Sequence, residues 1–133
     1  MGLTAERHPV VTDKAPRPFA GAPYSQGIAT RGLVFCSGQV PVDPETQQPV
    51  AGGVPEQTER VLENLKGVLE AAGSTMADIA KTTVFMVDLG DFAQMNEVYA
   101  RYFPTQPPAR STVQVSALPG GALVEIEAIA VGE

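Results

Sequence analysis

A chain of 133 residues and 14.0 kDa holds one domain with a real core and leaves no room for a second. Its net charge of −6 and pI of about 4.7, with only nine scattered Lys and Arg, argue against nucleic acid as a partner, since gripping phosphates takes a local basic patch. One cysteine and one histidine exclude an internal disulfide and the usual zinc sites, and no apolar run nears the ~18 residues that cross a membrane, so a cytoplasmic chain without metal or membrane contact is expected.

No positively charged leader followed by an apolar stretch opens the chain, which fits the same compartment. Residues 1–18 carry several prolines and charges without periodicity and read as a loosely held arm, with His8 an exposed tail residue; residues 19–133 form the domain. Two short strands are expected at Ser25–Thr30 and Leu33–Gln39, joined by a hairpin turn at Arg31-Gly32. Cys36 shares strand parity with Val34 and is assigned to the core. The Pro- and Gly-rich residues 41–55 read as a loop, and Gly52-Gly53 there opens no phosphate-binding motif. Pro55 then opens a helix, where its missing N–H costs nothing. Val61, Leu62, Leu65, Val68, Leu69 and Ala72 make the apolar stripe of that helix, and Gly73 ends it. The stretch "IAKTTVFMVDL" (79–89) is rich in β-branched residues and reads as a central strand. Asp91 is expected to cap a second helix, with Gln94 three residues on and Phe92, Met95, Tyr99 and Tyr102 as its buried stripe. Pro104, Pro107 and Pro108 stop it.

The last two strands, Arg110–Ala117 and Leu123–Val131, flank an "LPGG" turn. The order β-β-α-β-α-β-β predicts an α+β sandwich, two helices covering one face of a mainly antiparallel sheet. Val124, Ile126, Ala128 and Ala130 would pack under the helices, leaving Glu125 and Glu127 on the second face, Glu127 in a structural role. By the same alternation Val113 and Val115 take one face, and Arg110, Thr112 and Gln114 take the second. A mixed face of this kind meets either water or another subunit. If the two strands pair as a hairpin, Arg110 lies opposite Val131 and Glu125 sits roughly 20 Å away. The two charges would not neutralise each other. An arginine spared in so acidic a chain suits the carboxylate of a small substrate.

Five blocks, "APYSQG" (22–27), "CSGQVPVDP" (36–44), "KTTVFMVDLGDFAQMNEVY" (81–99), "PPARSTVQV" (107–115) and "VEIEAIAV" (124–131), together resemble the RidA/YjgF family in its order and spacing. The resemblance implies a chorismate-mutase-like α+β fold, assembled as a homotrimer with clefts between subunits. It also implies hydrolysis of reactive enamine/imine products of amino-acid dehydratases, such as 2-aminoacrylate/2-iminopropanoate and 2-iminobutanoate, to 2-oxo acids and ammonia without a cofactor. Carried onto this sequence, the family's site implies that Arg110 clamps the substrate carboxylate and Glu125 positions the water. Tyr24 lines the cleft, Ser37 and Gly38 lie beside the bound acid, and Asn96 supports it. Thr112 stands where several members have cysteine, which removes a thiol and keeps a small polar group and a backbone N–H. Two other uses of such a chain are a non-catalytic module that binds 2-oxo acids, in which Glu125 has no task, and an endoribonuclease, which the acidic charge opposes.

Overall fold

The computed structural model describes residues 6–132. In chain order these form β1 (His8–Val10), β2 (Gly27–Thr30), β3 (Leu33–Gln39), β4 (Val42–Asp43), β5 (Gln48–Pro49) and α1 (Val54–Ala71). β6 (Ile79–Met86), α2 (Phe92–Tyr102), β7 (Ala109–Gln114) and β8 (Val124–Val131) complete the fold. Six strands make one sheet in the order β1-β2-β3-β8-β6-β7, while β4 and β5 pair separately. All its pairs are antiparallel except β6 with β7, whose parallel pairing needs a crossover, and α2 supplies it.

The expected α+β sandwich is present, and local sequence explains most of it. Arg31 and Gly32 both take left-handed backbone (φ 52° and 75°), as a two-residue hairpin turn with the sheet's twist demands. Glu56 Oε1 accepts the Gly53 N–H at the start of α1, and Gly73 (φ 82°) follows its end. Val61, Leu62, Leu65, Val68 and Leu69 are fully buried against the core face of the sheet, each side chain worth about 1.5–3 kcal/mol on burial. Cys36 is buried among them, and burial pushes its thiol up to about 12.

Six expectations need correction. The arm is not loose between residues 8 and 16: β1 extends the sheet beside β2, Val10 is buried, and Ala15 is completely enclosed. The cause is Gln26, itself buried. Its Oε1 accepts the Thr12 N–H at 2.8 Å, and its Nε2 donates to the carbonyls of Thr12, Ala15 and Pro16 at 2.9–3.0 Å. The arm crosses α1 at Gly67, where any Cβ would collide with the Lys14 backbone. His8 is exposed as expected, although it lies in a strand; residues 1–5 lie outside the described residues.

The last two strands do not pair with each other. The turn at Pro119–Gly121 forms, but β6 lies between β7 and β8. The alternation assigned to β7 is also reversed. Thr82, buried under the helices, pairs with Arg110, and Phe85 on the other face pairs with Val113. Arg110 and Thr112 therefore face the helix layer, and Val113 is left 42% exposed. β7 is an edge strand whose helix side is covered by aromatic rings of α2, so its polar row can sit there without entering the core.

In α2, the Asp91 side chain makes no capping bond. Asp88 does the capping one short turn earlier, accepting the Gly90 N–H at 2.7 Å. The buried stripe is Met95, Val98 and Tyr99, with Phe103 just beyond the helix, whereas Phe92 is 39% exposed. Tyr102 is half-buried and donates to Glu63 Oε2 of α1 at 2.6 Å. Finally, the expected loop over 41–55 contains the small β4–β5 hairpin, turned at Gln47 (φ 59°).

Candidate active site

The residues picked from the sequence fall into two groups on opposite faces of the sheet. The first group lines one cavity of about 510 Å³ on the face without helices: Tyr24, Ser37, Gly38 and Glu125, walled also by Phe19 and Pro119. A bulge builds this corner. Between Cys36 and Gln39 the β3 ladder spends one more residue than β8 does between Ala128 and Ile126, so Ser37-Gly38 is thrown out of register. The glycine is required there by space. A Cβ on Gly38 would fall 2.9 Å from the carboxyl carbon of Glu125, so the carboxylate can lie against the strand only because that atom is missing.

Hydrogen bonding leaves specific atoms free. Ser37 Oγ donates to the Ser25 carbonyl at 2.6 Å, and its N–H donates to the Gln26 carbonyl at 3.0 Å, so the hydroxyl is left as an acceptor. Tyr24 Oη accepts the Phe19 N–H at 2.7 Å, which leaves its own proton to donate elsewhere. Burial, and then the charge of Glu127 two residues along the same face, raise the Glu125 carboxyl above the ordinary glutamate range. A half-buried carboxylate so raised takes up a proton more readily than a free one.

The second group sits under α2 at the edge of the sheet. Arg110 Nη1 donates to Asn96 Oδ1 at 2.8 Å. Its Cζ lies 4.8 Å from the Tyr99 ring centroid and 5.4 Å from that of Phe92. The Tyr99 hydroxyl is 2.7 Å from Thr82 Oγ1; burial raises its phenol, which the Thr82 hydroxyl and the Arg110 charge partly offset. Thr112 Oγ1 is buried with no hydrogen-bond partner among the described residues. Arg110 and Glu125 are thus not brought together within one chain. Their partners on β6 are Thr82 and Phe85, about 10 Å apart along the strand, and two strand spacings of about 5 Å add the rest. They are apart, by about 14 Å rather than the roughly 20 Å a hairpin would give, through the insertion of β6 and through pointing to opposite faces. Among the described residues, no group of three or more His, Cys, Asp or Glu is placed to hold a metal ion.

Sequence reasoning missed the aromatic pair on Arg110 and the bulge at Ser37-Gly38. Both left signals: positions 92, 96 and 99 share one helical face, and a glycine inside a strand pattern marks a bulge.

The sequence profile of the family described as Endoribonuclease L-PSP matches residues 14–132. The "2-iminobutanoate/2-iminopropanoate deaminase" of Homo sapiens is 42% identical over 121 residues, which are 91% of this chain and 88% of that protein. "Reactive Intermediate Deaminase A, chloroplastic" of Arabidopsis thaliana is 47% identical over 127 residues, 96% of this chain and 67% of that one. The chain belongs to the RidA/YjgF family. Its fold is correspondingly close to that of a solved structure described as E. coli TdcF with bound serine. That chain superposes with a TM-score of 0.89 at 44% identity, over 95% of this chain and 99% of that one. Among the described residues, no helix of this RidA/YjgF chain is long and apolar enough to cross a membrane.

Proposed function

We propose that this RidA/YjgF chain is a cytoplasmic imine deaminase, hydrolysing 2-aminoacrylate/2-iminopropanoate and 2-iminobutanoate to 2-oxo acids and ammonia. It works as a homotrimer whose sites lie between subunits. The observation that carries the reading is the division of the site: a seated, proton-hungry Glu125 on one face and a caged Arg110 with spare donors at the β7 edge. Each half lacks what the other holds, and a neighbouring chain is the natural supplier. The face without helices supports such an assembly, because Phe35 (41%) and Val131 (55%) leave apolar area on it that a stable monomer rarely exposes.

The chemistry follows from the atoms left free. The guanidinium fork pairs with the substrate carboxylate, and the Thr112 hydroxyl and backbone N–H, with Asn96 behind, complete that end. Water adds to the carbon of the protonated C=N bond while Glu125 takes its proton. Glu125 then returns that proton to the nitrogen of the tetrahedral carbinolamine, and the C–N bond breaks. The carbinol hydroxyl gives up its own proton to the departing ammonia, which leaves as ammonium while the C=O bond of the 2-oxo acid forms. General-base help of this kind is worth about 10²–10⁴ in rate. Tyr24, with its proton free, and Ser37, with its lone pairs free, are placed to steady the oxygen and nitrogen at the reacting carbon.

The names of the human and Arabidopsis relatives support imine hydrolysis, and the serine bound to TdcF supports a site for a small amino-acid-like carboxylate. The family's nuclease name is a weaker guide, because Glu125 and Glu127 together in the cavity would repel a phosphate backbone. Ammonia release from imines generated in situ by an amino-acid oxidase tests the proposal: the protein should exceed the uncatalysed rate, and equality with that rate would reject it.

A further inference from the structure

We infer that Phe92 and Tyr99 are positioning residues for Arg110, holding its guanidinium so that the unused N–H donors meet a carboxylate in one plane. The inference rests on the reading that Arg110 grips the substrate carboxylate. An arginine side chain has many rotamers, and a two-pronged grip gains when the fork is held before the ligand arrives. Here α2 does the holding. Phe92, Asn96 and Tyr99 recur on one helical face, and each touches the guanidinium: two rings within cation–π range and one amide oxygen.

Tyr99 cannot slide. It is 6% exposed, its hydroxyl is bonded to Thr82 on β6, and its ring packs on Phe103 with centroids 4.6 Å apart. Phe92 has no comparable duty in the core, and its ring is left partly in water beside Arg110. Of the five guanidinium N–H donors, Asn96 takes one, and among the described residues no carboxylate lies within ion-pair distance. Two rings at 4.8 and 5.4 Å and one amide oxygen hold the group, and N–H donors remain for a ligand.

Pyruvate, the 2-oxo acid that 2-iminopropanoate hydrolysis yields, is the probe, and its uncharged amide is the control. Titrations compare wild type with Phe92→Leu, Phe92→Tyr, Arg110→Lys and Arg110→Ala after thermal melts and light scattering. Phe92→Leu should weaken pyruvate by about two- to thirtyfold while leaving the amide unaffected, and Phe92→Tyr should restore binding. Arg110→Lys keeps the charge but loses the planar fork, and should lose most of the affinity. If Phe92→Leu binds pyruvate like wild type, or weakens pyruvate and amide equally, the positioning role is overturned and the role of Arg110 stands. Wild-type affinity in Arg110→Lys would overturn the positioning role in the same way. If Arg110→Ala itself still binds pyruvate normally, the grip and its positioning fall together.

Discussion

Removing the Gln26 side chain should unpin the N-terminal arm. Gln26→Ala deletes four hydrogen bonds to the backbone of residues 12–16. At a net value of about 1 kcal/mol each, the loss is about 4 kcal/mol if the arm stays in place with its groups unpaired. An arm that peels away hydrates those groups instead. The cost is then the docking itself, chiefly the burial of Val10 and Ala15 and the short β1 ladder, about 2–4 kcal/mol. Both routes agree on a loss of about 2–4 kcal/mol, which in a chain of this size lowers Tm by roughly 6–15 °C. Thermal melts at fixed protein concentration measure it, and amide exchange at residues 10–16 shows which route is taken. The damage should reach the cavity too, because the arm leads into Phe19, whose N–H holds Tyr24. A variant that melts within about 2 °C of wild type with the arm amides still protected would refute this account of the arm.

Four further outcomes follow from the same structure. Gly38→Ala should push Glu125 off its seat and lower imine turnover by up to the general-base share of about 10²–10⁴, read as ammonia release with circular dichroism unchanged. Because burial and then Glu127 raise the Glu125 carboxyl, the folded state holds that proton more tightly than the unfolded chain. The associated stability is full below the unfolded pKa and is lost as pH rises through the folded one, so Glu125→Gln should gain on wild type in urea melts as pH rises from about 4 to 7. For the same reason the acid limb of the pH–rate profile should lie above the ordinary glutamate range and move to lower pH in Glu127→Gln. Light scattering should give about three times 14.0 kDa, and a stable, active monomer would contradict the shared site.

Where the pattern was local, the sequence was legible. The stripe from Val61 to Leu69, the Arg31-Gly32 turn and the inward Cys36 need only periodicity and backbone sterics. β7 was misread because its faces are set by its neighbour, and that neighbour is β6, not the strand next in sequence. Its alternation could mark two faces without saying which is covered. The arm was misread for a similar reason: a proline-rich stretch becomes ordered when one buried glutamine elsewhere satisfies its backbone. Of the candidate site, Tyr24, Ser37, Gly38 and Glu125 do share a cavity, and Arg110, Asn96 and Thr112 share the α2 edge. Charge alone had pointed to Arg110 and likeness to a family singled out the others; strand parity alone had set Arg110 on the same face as Glu125.

The central claim, that Glu125 activates water for imine hydrolysis, is tested most directly by one comparison of rates. Ammonia release from 2-iminopropanoate formed in situ is followed for wild type, for Glu125→Gln and for buffer alone. Glu125→Gln keeps the side chain's shape and removes the base, so turnover should fall by about 10²–10⁴ while pyruvate still binds nearly as in wild type. Turnover by Glu125→Gln at the wild-type rate would contradict the mechanism, and a wild type that binds pyruvate yet never exceeds buffer would make the protein a binding module.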